Sequence, residues 1–254
     1  MSPMLRIQGL SKRFGGVQAV DDVSFDVPRG NIVALIGPNG AGKTTLFNLV
    51  SGFLRHDNGS VEFEGRQIEE IPPFERASIG IARTFQHVQL LPKNTVLENV
   101  MIGLHLSGRA GIFSSVLRTA AQKREEIRIE QAARLALQAG GIDGLADEVT
   151  ETLSYGLQRR VEVARAMAMQ PKLLLMDEPA AGLNDAETEE LGTLIRRLRD
   201  SGMTVLIVEH AMPLVMGISD HVVVLDYGKK IAEGSADDVR SNPKVIEAYL
   251  GAEA

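Results

Sequence analysis

Residues 31–45 read Asn-Ile-Val-Ala-Leu-Ile-Gly-Pro-Asn-Gly-Ala-Gly-Lys-Thr-Thr. The opening six are too short for a helix, and their branched, apolar content suits a strand buried on both faces. From Gly37 the stretch fits G-x-x-x-x-G-K-[ST], and Leu46, Phe47, Leu49 and Val50 continue it as an apolar helix. Glycines let a backbone wrap an anion with its N–H groups turned inward, and the helix adds the positive end of its dipole. Gly37, Pro38, Asn39, Gly40, Ala41, Gly42, Lys43, Thr44 and Thr45 therefore read as a phosphate cradle. Lys43 suits the β- and γ-phosphates of a nucleotide, and the Thr44 hydroxyl suits Mg²⁺. A plain glycine-rich turn would match by chance in roughly one chain in a hundred of this length. The flanking strand and helix remove most of that remainder.

Outward from the loop, Lys172 to Met176, Thr204 to Val208 and His221 to Leu225 are further short apolar runs. Alternating with helix-period segments, they predict an α/β core with a mostly parallel sheet. Leu5 to Leu10 and Val17 to Val27 instead alternate apolar and polar residues, as half-solvated antiparallel strands do. Asp226 to Lys229 reads as a hairpin turn into a short strand, Lys230 to Glu233. A helix is expected from Asp185 to Arg199, with Asn184 and Glu187 as its capping pair and Gly202 closing it. Another runs from about Gly156 to Met169, where Pro171 stops it. Thr95 to Asp147 is rich in Ala, Arg and Glu and nearly free of strand signals. Its stripe of Ile129, Ala132, Ala133, Ala136 and Gly140 predicts an inserted helical subdomain, and Lys123 to Glu130 a solvated helix face.

Composition sets the outer limits. The 254 residues are 44% hydrophobic and 24% charged, which excludes a disordered or collagen-like chain. A net charge of −6 argues against a general nucleic-acid binder. With no cysteine, a disulfide framework, a thiolate metal site and a cysteine nucleophile are all excluded. The N-terminus lacks the pattern of a secretory signal, and no apolar run approaches a spanning helix. The chain therefore reads as soluble, reaching a membrane only through a partner.

Further residues carry chemistry. Leu173 to Glu178 places Asp177 and Glu178 at the carboxyl end of a buried strand, where ligands bind in open α/β sheets. Asp177 suits the Mg²⁺ shell, and Glu178 suits a general base acting on water. Alone, two such acids are as readily a surface cap; beside a phosphate loop they are not. Ser154 at a helix start, with Gly156 beside it, makes a small anion site or simply an ordinary cap. Gln86 follows a possible edge strand, Ile81 to Phe85, and His210 follows Thr204 to Val208. Spacing alone singles out neither.

Taken together and in order, these motifs resemble the ATP-binding subunits of ABC transporters over essentially the whole chain. The phosphate loop, Gln86 in Thr84-Phe85-Gln86, the signature Leu153 to Gln158, Asp177-Glu178 and His210 all fall in the family's sequence. Finer features resemble its branched-chain amino-acid uptake group: Tyr155 for the signature's usual first glycine, residues 177–184 and 209–220, and the ending Asn242 to Gly251. The resemblance implies a P-loop ATPase core over 1–94 and 154–254, carrying an N-terminal antiparallel β subdomain. Residues 95–153 would be the helical subdomain, with the signature loop at its end.

It further implies ATP and Mg²⁺, with Thr44, Gln86 and Asp177 around the metal and Glu178, Gln86 and His210 as the catalytic set. Phe14 would stack on adenine with Val20 nearby, and Ser154 and Gly156 would act on a nucleotide across a dimer. Leu157 replaces the signature's usual glutamine, and Asn184 stands where many relatives carry aspartate. Implied partners are a second ATP-binding subunit, identical or similar, two membrane permeases and, indirectly, a periplasmic binding protein, with no nucleic acid. The implied location is peripheral, on the cytoplasmic face of the inner membrane. Rival readings are a lipid or lipopolysaccharide export ATPase and a soluble ABC ATPase. The latter usually carries two cassettes or a long coiled coil, and this chain has neither. A P-loop GTPase would need an Asn-Lys-x-Asp motif, which does not occur.

Overall fold

The structure is a computed structural model and describes residues 2–107 and 120–250. Residues 108–119 of the expected insert, the Lys123 side chain and Gly251 of the family-like ending lie outside the described residues. Strands β1 (Leu5–Phe14) and β2 (Val17–Val27) pair antiparallel, and the chain then enters the core as β3 (Ile32–Ile36), buried at every residue. Helix α1 (Lys43–Ser51) follows the phosphate loop. Strand β4 (Asn58–Phe63) returns to the free edge of β1 and β5 (Arg66–Gln67) adds to it, giving an antiparallel sheet in the order β2-β1-β4-β5.

The second sheet has the order β10-β9-β3-β8-β7-β6. Strands β6 (Ile81–Arg83), β7 (Leu173–Asp177), β8 (Thr204–Val208) and β9 (His221–Asp226) run parallel with β3, and β10 (Lys229–Gly234) returns antiparallel to β9. Strand side chains alternate between faces. Val33, Leu35, Leu173, Leu175, Leu206 and Val208 accordingly pack toward Phe47 of α1 and the antiparallel sheet. Ile32, Ala34, Ile36, Leu174, Met176, Val205 and Ile207 pack on the opposite side. Helices α6 (Asp185–Asp200) and α7 (Met212–Ile218) cover that face through Leu191, Leu194, Ile195, Leu198 and Leu214.

The expected strands, the hairpin at Asp226 to Lys229 and the α6 caps are all found. Asn184 and Glu187 form a reciprocal capping box. At the other end Gly202 (φ +97°) lets Met203 N–H reach the Leu198 carbonyl at 3.1 Å, closing the last turn. The edge strand ends earlier than expected. Thr84 N–H still reaches the Leu175 carbonyl at 2.9 Å, but Phe85 N–H goes to the Glu162 carboxylate at 3.2 Å, so the ladder stops at Arg83.

Between the core strands lie α2 (Pro73–Arg76), α3 (Val96–Ser107), α4 (Ala120–Ala139) and α5 (Tyr155–Ala168). The stripe on α4 is buried at Ile129, Ala133, Ala136 and Gly140 and half-buried at Ala132. It meets Val96 and Val100 of α3 and Val161, Ala164 and Ala168 of α5. The charged run is exposed at Arg124, Glu126 and Arg128, as a solvated face should be. An isolated bridge between Thr95 and Val149 ties the two ends of this layer together. Helix α5 serves two layers, since its Val163 and Ala166 pack on the central sheet. Short helices α8 (Ala236–Arg240) and α9 (Pro243–Leu250) end the described chain. Ile195 is fully buried between α6 and the sheet. Ile195→Ala should cost about 2–5 kcal/mol through lost transfer and a residual cavity. Urea unfolding would check this; a loss under about 1 kcal/mol would mean that the site collapses freely.

Candidate functional site

The carboxyl ends of β3, β7 and β8 lie side by side, so the residues that follow them share one edge of the sheet. The loop after β3 turns at Gly37, Gly40 and Gly42, all with positive φ. A Cβ at Gly37 would meet the Leu225 carbonyl oxygen at 2.1 Å and one at Gly42 the Ala19 carbonyl oxygen at 2.3 Å, so glycine is required at both. The Lys43 ammonium is buried within the loop, donating to the carbonyls of Gly37 (2.7 Å) and Pro38 (2.8 Å). Burial pushes its pKa below the usual lysine value, and the Glu178 carboxylate opposes that shift.

Glu178 is where the site converges. It follows β7 with φ +45°, a left-handed conformation uncommon outside glycine, and its N–H donates to the Val208 carbonyl at 2.9 Å. Its Oε2 accepts from Gln86 Nε2 at 2.7 Å, and its Oε1 lies 2.9 Å from His210 Nε2. All three residues expected to be catalytic therefore meet on one carboxylate. A cavity of about 320 Å³ spans Asn39 to Thr45, Glu178 and His210, and continues past Val17, Gln18, Ala19 and Tyr227.

Asp177 is buried, with Oδ2 paired to Arg83 Nη2 at 2.7 Å. The same guanidinium donates to Asn48 Oδ1 (2.8 Å) and Ser51 Oγ (2.5 Å) of α1. It also lies 4.9, 5.2 and 5.3 Å from the ring centres of Phe47, Phe53 and Phe85. The bidentate reach and aromatic faces are arginine chemistry that lysine would not reproduce.

The remaining expected positions lie outside the lining of this cavity. Val20 is fully buried in the core, while Ala19 beside it on β2 lines the cavity. Phe14 is 46% exposed and pairs in register with Val17, which does line the cavity. Ser154 and Gly156 lie apart from the cradle, in a small hollow of about 40 Å³ that also includes Glu187 and Glu190. Ser154 caps α5, its Oγ accepting from Leu157 N–H at 3.3 Å.

Sequence reasoning passed over Arg83, Glu209 and the buried charges of α5. Glu209 had a usable signal, an acid directly after an apolar strand. Its buried carboxylate accepts from the N–H groups of Ala180 (2.7 Å), His210 (2.7 Å) and Ala211 (3.1 Å), fixing the loop that presents the histidine.

A glycine-lined cradle, a buried lysine and a carboxylate pair at one sheet edge define a P-loop nucleotide hydrolase. Comparison with known proteins narrows the class. The family described as ABC transporter matches residues 20–181, and the family described as branched-chain amino acid ATP-binding cassette transporter matches residues 229–254. The high-affinity branched-chain amino acid transport ATP-binding protein LivG of Salmonella typhimurium is 45% identical over 98% of each chain. The BraF protein of Pseudomonas aeruginosa, similarly described, is 42% identical over 98% of each chain. The solved ADP conformation of MJ1267, an ATP-binding cassette of an ABC transporter, superimposes with a TM-score of 0.87 at 37% identity, covering 99% of this chain and all of that one. The chain belongs to the ABC transporter family, as one of its ATP-hydrolysing cassettes.

Glu178→Gln keeps the shape of the side chain and removes the carboxylate expected to act as the base. Nucleotide affinity should stay within a few-fold, while steady-state ATP hydrolysis falls on the order of 10²-fold or more. A turnover near wild type would remove Glu178 from its role.

Proposed function

We propose that this chain hydrolyses ATP to power uptake of branched-chain or other hydrophobic amino acids, working as one of two cassettes beneath a pair of membrane permeases. The observation that carries the hydrolytic part is the Glu178 carboxylate held between Gln86 and His210 at the mouth of the phosphate cradle. The cargo is supported by the transport functions of the LivG and BraF relatives and by the family matched at residues 229–254.

In this reading the backbone N–H groups of residues 39–45 and the Lys43 ammonium bind the β- and γ-phosphates. Lys43 would exchange its two loop carbonyls for phosphate oxygens. Glu178 takes the proton of the attacking water, and Gln86 and His210 fix the direction of its oxygens. Phosphoryl transfer demands positioning and charge more than covalent help, and rigid groups of this kind supply both. Phe14 at the end of β1 would stack on the base.

The residues also suit Mg²⁺. Thr44 and Asp177 offer hard oxygen donors, with Gln86 nearby in the expected set. Among the described residues no group of His, Asp or Glu forms a metal cage by itself. That matches an ion usually held by one or two protein oxygens, substrate phosphates and water. Bound there, it would neutralise charge on the phosphate oxygens.

In this reading Ser154 and Gly156 would form an anion site at the start of α5, while the same chain has its phosphate cradle elsewhere. A head-to-tail pair, each cradle facing the other's signature, uses both sites and closes with two-fold symmetry. Among the described residues no helix is long and apolar enough to cross a membrane, so a membrane partner must dock on the surface. A groove of about 620 Å³, lined by Phe53, Phe74, Phe85, Ile102 and Arg165, lies between the core and helical layers, with Phe53 and Phe74 well exposed. We assign it to a permease segment, on the cytoplasmic face of the inner membrane.

The test of the cargo is the intact transporter with its solute-binding protein. Branched-chain amino acids should stimulate its ATPase, and stimulation by lipid alone would favour export instead. The dimer is tested separately. Ser154→Arg should leave nucleotide affinity within about twofold while abolishing the ATP-dependent dimer of Glu178→Gln in sedimentation. A double variant that still dimerises with ATP would remove the signature from the closing contact.

A further inference from the structure

Arg159 and Glu162 of α5 are both buried, Arg159 completely, and nothing in the hydrolytic scheme uses them. Their charges meet at 2.7 Å between Arg159 Nη1 and Glu162 Oε2. Besides Tyr155 and Arg165 on the same helix, what they touch is one loop. Arg159 Nη1 donates to the Phe85 carbonyl at 2.6 Å, and Nη2 donates to the Gln86 carbonyl at 2.5 Å. Glu162 Oε1 accepts from Phe85 N–H at 3.2 Å. One turn on, Arg165 Nη1 donates to the Gln89 carbonyl at 2.5 Å. Residues 84–91 form no helix or strand, so their backbone groups must find partners outside a ladder.

A buried ion pair is weak evidence of a stabilising role, because apolar residues of similar volume often serve the core as well or better. Apolar residues would not hold two successive carbonyls and an N–H. The planar fork of an arginine does that with one side chain, and the paired glutamate both neutralises it and supplies the acceptor. The grip therefore has a direction. Its helix begins at Ser154, and its loop carries Gln86, whose amide reaches Glu178 at 2.7 Å.

We propose that Arg159 and Glu162 are positioning residues that hold the backbone of the Gln86 loop and so keep the Gln86 amide against Glu178. The proposal rests on the hydrolytic reading above and deepens it.

The test replaces both members, since removing one would strand a buried charge. Arg159→Met with Glu162→Met should keep the melting temperature within a few degrees and ATP affinity within about twofold. Amide exchange confined to residues 84–91 should accelerate by about tenfold or more, because the loop backbone loses its partners. Turnover should fall on the order of tenfold or more from misplacement of Gln86. Arg159→Lys, which keeps the charge and loses the fork, should show the same loop exposure in part.

Unchanged exchange at 84–91 in a folded double variant would overturn the proposal. So would a double variant that no longer folds, which would assign the pair to the core. The exchange measurement needs no turnover. Gln86→Ala with wild-type hydrolysis would therefore count against the hydrolytic reading and leave the grip standing or falling on its own.

Discussion

The Glu178 carboxylate, with one oxygen on Gln86 and the other on His210, is the contact to which the rest of the molecule is arranged. Its two partners come from different strands. Gln86 follows β6 at the edge of the sheet, and His210 follows β8, while Glu178 follows β7 between them. Parallel pairing brings those three ends to one side, and the left-handed backbone at Glu178 turns its side chain toward the cradle. A non-glycine residue in that conformation carries backbone strain, which persists where surrounding contacts over-determine it. Here the Glu178 N–H on Val208 and the Ala181 N–H on the Glu178 carbonyl hold it in place.

Charge in this site is held by buried side chains rather than by solvent. Asp177 is fixed by Arg83, and Arg83 in turn by α1 and by three aromatic faces. Glu209 ties the loop after β7, at Ala180, to the histidine loop, at His210 and Ala211. Such groups cost desolvation unless fully paired, so each one marks a place where orientation matters. The result is a set of loops on strand ends whose backbones are held by buried charges.

Much of this was legible in the chain itself. A phosphate loop between an apolar strand and an apolar helix is a local pattern, as are the acids after β7 and the histidine after β8. The capping box at Asn184 and the closing Gly202 were also readable, because caps involve neighbours in sequence. Less visible were β4, a short edge strand opened by Asn58 and Gly59, and the end of β6, decided by a carboxylate on a distant helix. Val20 and Ala19 are neighbours in sequence, and only the folded structure shows that Ala19 lines the cavity while Val20 is buried. Arg83 has no local signature, and although Arg159 and Glu162 pair within one helix, the loop they hold lies far back in the chain.

The most direct measurement of the account is a double-mutant cycle in turnover across Gln86→Ala and His210→Ala. Both side chains are assigned to one carboxylate, so their effects should be strongly coupled. The double variant should be little slower than the slower single variant, with ATP affinity nearly constant throughout. Two losses that multiply would contradict the account, because they would mean that Gln86 and His210 act on separate steps and that Glu178 is not their common target.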